Sequence, residues 1–202
     1  MARLDEYFKG TNAETAYLLG RCCGLRINEC YGLKWENIDT KRGTITIDRQ
    51  MQYQEGLIKL VSLKTRNARR TVYMSDKLKA YLRHLERENK AQAAALAAQR
   101  AQNQTFITDI DGKQISSLEL VNTLPNGKIQ TVNSMKYHSK TIKAKLGINF
   151  KFHYLRHQYV KPTTKTFSEN NVVSDVKPRT QLNAQCRHNI RIHAQVNLTI
   201  AY

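Results

Sequence analysis

Apolar residues along the chain recur at helical spacing, then in alternation, then at helical spacing again. Thr11-Asn12 marks a helix start, Tyr17, Leu18 and Cys22 carry that helix's apolar face, and Gly24 stops it. A second short helix fits residues 27–33, ending before Trp35. Three strand signals follow. Residues 43–48 alternate with period two, residues 57–63 are apolar with β-branching, and residues 69–74 contain Thr71-Val72-Tyr73. Gly56 marks the turn between the first two, and the three are expected to pair as one antiparallel sheet. Ser75 caps the next helix, with Leu78, Leu82 and Leu85 on one face. That helix is expected to continue through the alanine-rich tract at 90–100 as an exposed extension, because the tract has high helix propensity and little to bury. Asp111-Gly112 and Pro125-Asn126-Gly127 read as turns. A further helix fits residues 131–146, with Val132, Met135, Ile142 and Leu146 at helical spacing and Gly147 at its end.

The pattern changes after Arg156. Pro162 and Pro178 break helices, polar residues dominate 163–171, and Ile190, Ile192, Ala194, Val196, Leu198 and Ile200 alternate with polar partners as in a strand. The expected fold class is therefore mainly α with a small three-stranded antiparallel β-sheet (α+β). Residues 1–160 form the expected domain, and residues 161–202 an atypical tail that is either disordered or strand-forming.

Composition narrows the function. Among 202 residues, 33 Lys and Arg stand against 16 Asp and Glu, a formal charge of +17. A pI near 9.9 points to a polyanionic partner, of which nucleic acid is the commonest for chains of this kind. The longest purely apolar run, residues 93–98, is far too short for a bilayer-spanning helix. The N-terminal residues lack the charged-then-apolar layout of a signal peptide. Cys22, Cys23, Cys30 and Cys186 form no C-x-x-C pair and read as reduced, mostly buried thiols rather than zinc ligands.

Three basic clusters carry candidate chemistry. In Gly24-Leu25-Arg26-Ile27-Asn28-Glu29, an arginine just past a glycine-ended helix points outward, and Glu29 lies where it orients that arginine. Lys64, in Leu63-Lys64-Thr65, stands at a strand end beside a turn, on a flexible stem. In Phe152-His153-Tyr154-Leu155-Arg156-His157, His153 and Arg156 share a helical face. Two arginines, a lysine and a histidine suit phosphoryl transfer without a metal. The arginines grip non-bridging oxygens, the histidine hydrogen-bonds the phosphate or moves a proton, and the lysine protonates the leaving oxygen. Each taken alone reads first as an ordinary surface cation.

In this order and context the clusters resemble the tyrosine recombinase (phage integrase) family. The resemblance runs from about residue 13 to Arg156. It also takes in Leu18-Leu19-Gly20, Gly32-Leu33-Lys34-Trp35-Glu36-Asn37-Ile38-Asp39 and the strand Thr44-Ile45-Thr46-Ile47. It implies that Arg26 is the first phosphate-clamping arginine, supported by Glu29. It implies that Lys64 is the hairpin general acid toward the 5′ oxygen, and that His153 and Arg156 are the histidine and second arginine. In the family a tyrosine attacks the phosphate and forms a 3′-phosphotyrosyl bond, so no ATP, metal or other cofactor is implied. The implied partner is double-stranded DNA, bound by a homo-oligomer, with no membrane involvement, in a bacterial or phage-associated cytoplasm.

The tail departs from the family. Its Leu-Gly-His box is expected near Arg179 and its tyrosine near His188, yet no glycine follows Gly147. Tyr202 is the only tyrosine after Tyr159 and reads as a terminal aromatic rather than the nucleophile. A reading-frame slip in the gene is the expected cause, with recombination with foreign sequence as the second. Only about a dozen residues precede the first expected helix, fewer than the helical domain that members of the family usually carry before the catalytic one. The leading expectation is site-specific DNA recombination by a degraded catalytic domain, with Arg26, Lys64, His153 and Arg156 converging. The alternatives are a non-catalytic DNA-binding remnant and a basic RNA-binding protein.

Overall fold

The computed structural model describes residues 1–160 apart from 55, 66 and 67. The strand-like alternation at 190–200, the positions Arg179 and His188, Cys186 and Tyr202 lie outside the described residues.

The helices are α1 (Ala2–Phe8), α2 (Glu14–Cys23), α3 (Ile27–Tyr31), α4 (Asp76–Ala91), α5 (Ala97–Asn103), α6 (Val132–Leu146) and α7 (His153–Val160). The strands are β1 (Ile38–Asp39), β2 (Thr44–Ile47), β3 (Arg49–Gln54), β4 (Leu57–Ser62), β5 (Arg70–Tyr73), β6 (Phe106–Thr108) and β7 (Gln114–Ser116). The stop signals act as expected. Gly24 and Gly147 take left-handed φ values of 63° and 66°, and their N–H groups close the last turns on Gly20 and Lys143. Ser75 accepts from the Leu78 N–H at 3.3 Å, and Thr131 from the Asn133 N–H at 3.3 Å.

The class is mixed, with a three-stranded antiparallel sheet, but that sheet is not made of the expected strands. It runs β1-β2-β5, with Thr44 opposite Tyr73 and Ile47 opposite Arg70. The segment at 57–62 belongs instead to a second sheet, β3-β4-β6-β7, in which β4 and β6 are parallel. Gly56 consequently turns β3 into β4, not β2 into β4. β3 escapes the pattern because Arg49, Gln50, Gln52, Tyr53 and Gln54 are polar or exposed and only Met51 is buried, opposite the buried Leu60. Its order comes from the backbone ladder with β4.

α1 corrects the expectation that the first helix starts after residue 10. Its buried residues, Leu4 and Phe8, are four apart on one face of an otherwise polar segment. Phe8 stacks on Tyr17 of α2 with ring centroids 4.3 Å apart, and Tyr17 donates to Asp5 at 2.6 Å. The expected helix over 27–33 stops at Tyr31, and a 3₁₀ turn at Trp35–Asn37 follows. α4 ends at Ala91, and after a turn α5 resumes with no buried residue.

The core gathers Tyr17 and Leu19 of α2, Leu25, Ile45 and Ile47 of β2, Leu78 and Leu82 of α4, Met135 and Ile142 of α6, and Leu155 of α7. A buried ionic group ties the two sheets to the 3₁₀ turn. Asp109, just past β6, accepts from Arg49 Nη1 at 2.6 Å and Lys34 Nζ at 3.2 Å. Asp48, at the bend from β2 into β3, pairs with Arg49 Nε at 2.9 Å, and Glu36 with Lys34 at 2.8 Å.

Candidate functional site

Gly20 of α2 and Gly24, its C-cap, let α7 dock. A Cβ on Gly20 would stand 2.5 Å from the Phe152 ring, and one on Gly24 would stand 2.5 Å from the Tyr159 ring. Without those carbons the aromatic rings lie directly on the α2 backbone. Leu155 is then buried, and Arg156 Nη1 donates to the Gly24 carbonyl at 2.7 Å. That bond joins residues 132 apart in sequence and fixes Arg156 two positions from Arg26.

Arg26 is the N-cap of α3. Glu29, in the first turn, reaches back and accepts from the Arg26 backbone N–H at 2.7 Å. Its other oxygen accepts from Arg26 Nη1 at 2.8 Å. The Arg26 side chain stays half exposed while that of Glu29 is fully buried. Burial by itself pushes the Glu29 carboxyl up, but the bonds and charge of Arg70, with the bonds from Arg26, outweigh it and hold the group below the usual range.

Arg26, His153 and Arg156 line one open cleft of about 230 Å³. Phe152 forms apolar wall, and Asn28 and Gln50 add neutral polar groups. Gln50 reaches the cleft because α3 presses on β3 at Gly32, where a Cβ would stand 2.6 Å from the Met51 nitrogen. The His153 and His157 rings meet edge to face, with centroids 4.4 Å apart. Lys64 is exposed in the connection from β4 to β5 and is not among the residues lining this cleft. The geometry thus joins three of the four expected groups and leaves the fourth outside.

Sequence reasoning missed three polar residues here. Asn28 and Gln50 are neutral, and no charge pattern marks them. Arg70 falls inside a segment that the sequence marks only as a strand, yet it holds Glu29 with two bonds, at 3.0 and 2.7 Å. Its place on the strand face opposite Tyr73 and Thr71 was the available signal. Elsewhere, Cys23 and Cys30 are buried thiols outside any disulfide among the described residues, and Cys22 is half-buried. Among the described residues no cluster of His, Cys, Asp and Glu is placed to hold a metal ion, and no helix is long and apolar enough to cross a membrane.

Residues 5–161 match the model of the phage integrase family. A curated relative, a tyrosine recombinase XerC-like protein of Caldanaerobacter subterraneus subsp. tengcongensis, is 28% identical over 178 residues, covering 82% of this chain and 41% of its own length. Two solved structures share the fold. The Tn1549 transposon integrase in complex with a circular intermediate DNA superposes with a TM-score of 0.57 at 17% identity. The same integrase with transposon right end DNA gives 0.53 at 19% identity. Each match covers 77% of this chain and 48% of that one. The chain therefore spans less than half the length of these relatives.

Proposed function

The chain belongs to the phage integrase family, and from that premise we propose that its cleft grips a DNA phosphodiester for site-specific recombination. The observation that carries the reading is the meeting of Arg26, His153 and Arg156 in one cleft from distant parts of the chain. Attack on phosphorus builds negative charge on the non-bridging oxygens. Two guanidiniums facing one small volume stabilise that charge better than water does, because they are already oriented. His153 hydrogen-bonds the same phosphate. The 5′ oxygen needs a proton as its bond to phosphorus breaks, and the family resemblance gives that donation to Lys64, which stands outside the cleft as described. DNA is the partner, several copies assemble on it, and the work is done where the DNA of a bacterium or phage is found.

Tyr202, which reads from the sequence as a terminal aromatic, is not assigned the attack. A nicked duplex that traps covalent protein–DNA adducts tests the catalytic half of the proposal. Binding without an adduct is the expected result for this chain, and Tyr202→Phe is expected to change nothing. An adduct that forms with the parent and vanishes in Tyr202→Phe would make Tyr202 the nucleophile. The grip is tested separately. Arg26→Gln and Arg156→Gln should each weaken binding to duplex DNA and lower the slope of log K against log salt by about 1. Unchanged slopes in both variants would remove the cleft from the DNA interface.

A further inference from the structure

We infer that Arg70 is a positioning residue of this cleft: by neutralising Glu29, it leaves the Arg26 guanidinium available to a phosphate. The inference rests on the phosphate-gripping reading above.

Glu29 is a fully buried carboxylate between two guanidiniums. Oε1 accepts from Arg26 Nη1 at 2.8 Å and Arg70 Nη1 at 3.0 Å. Oε2 accepts from the Arg26 backbone N–H and from Arg70 Nη2, both at 2.7 Å. The two arginines differ in kind. Arg70 meets both oxygens as a parallel fork, and its side chain is only 16% exposed. Arg26 offers one guanidinium nitrogen and keeps half its side chain in solvent. The three groups sum to +1, and the surplus charge is the one that faces the cleft.

Without Arg70, the buried carboxylate still needs a counter-charge. Arg26 is already bonded to it and would turn inward to take over both oxygens. The pair would then be neutral and the cleft would lose one phosphate donor. Arg70 also opens β5 and donates to the Ala68 carbonyl at 3.1 Å. One guanidinium thus fixes the end of the connection that carries Lys64 and the carboxylate that holds Arg26.

The test is the salt dependence of binding to a short random-sequence duplex, with the full chain and variants whose folding is checked by thermal melting. Arg26→Gln lowers the slope by about 1. Arg70→Gln is expected to lower it by the same amount although Arg70 is not among the residues lining the cleft, and the two changes together are expected to add nothing further. The neutral pair Glu29→Gln with Arg70→Gln is expected to restore the parent slope, because Arg26 no longer has a carboxylate to turn toward. A parent-like slope in Arg70→Gln, additive losses in the double variant, or a neutral pair that stays low would each overturn the inference. If Arg70→Gln does not fold, the neutral pair and Arg70→Lys carry the test: both keep the parent slope, and a lowered slope in both overturns it. An unchanged slope in Arg26→Gln overturns the cleft reading itself, and this inference with it.

Discussion

Glu29 shows how one residue links stability to the site. Four hydrogen bonds converge on a carboxylate that water does not reach. Its pKa is held below the usual range, so the stability it contributes is fully present above the unfolded value of about 4.3 and is lost as pH falls through the folded value. Acid unfolding of the parent between about pH 5 and pH 3 should therefore be steeper than that of Glu29→Gln, which circular dichroism at fixed temperature measures. His138 is a second group whose contribution falls as pH falls, for a different reason. Nε2 lies 2.6 Å from the Asn12 Oδ1, which only accepts, so Nε2 carries the proton and Nδ1 accepts from the Tyr7 hydroxyl at 2.9 Å. Burial pushes its pKa down from 6.5, so the unfolded chain binds a proton first. Stability from His138 is present above about pH 6.5 and falls as pH drops below it. Melting temperature should decline from pH 7.5 toward 5.5, and His138→Gln should flatten that decline. The partners of His138 were not legible in the sequence. A histidine between Met135 and Ile142 on a helix has no local partner, and Tyr7 and Asn12 reach it from 131 and 126 residues away.

At the scale of elements, α7 is held by two absent side chains. Gly20→Ala gains about 1 kcal/mol of helix propensity but drives a methyl into Phe152, and overpacking of this kind costs about 1–3 kcal/mol. The methyl is expected to win, lowering the denaturant midpoint and weakening duplex binding as Arg156 shifts. Gly24→Ala adds a left-handed φ to the Tyr159 contact and should cost more than Gly20→Ala. The Asp109 group is the other structural joint. Asp109→Ala leaves Lys34 and Arg49 buried with less countercharge and should cost about 3 kcal/mol, read from denaturant unfolding. The elements marked by strong local signals, α2, α4 and α6 with their glycine and serine or threonine boundaries, were legible. α1 and β3 were not. One is fastened by an aromatic stack onto α2, the other by ladder bonds to β4, and both depend on residues distant or polar in the sequence. The pairing of β2 with β5 rather than β4 was hidden for a related reason: alternation identifies a strand and says nothing of its neighbour.

For the whole molecule, a charge of +17 and an open cationic cleft point to binding dominated by phosphate contacts. Affinity for random duplex should fall by about 10³ or more between 50 and 200 mM salt if six or more phosphates are engaged, which anisotropy titrations measure directly. The two arginines and the histidine of the site were legible because two short boxes preserve their local setting. Their partners Gln50 and Arg70 were not, because only the fold brings β3 and β5 against α3. The central claim is that Arg26 and Arg156 hold the same phosphodiester. A crystal structure of the chain with a short duplex tests it most directly. The account predicts one backbone phosphate with non-bridging oxygens about 2.7–2.9 Å from both guanidiniums and His153 alongside. A duplex seated elsewhere on the basic surface, with no phosphate between Arg26 and Arg156, would contradict it.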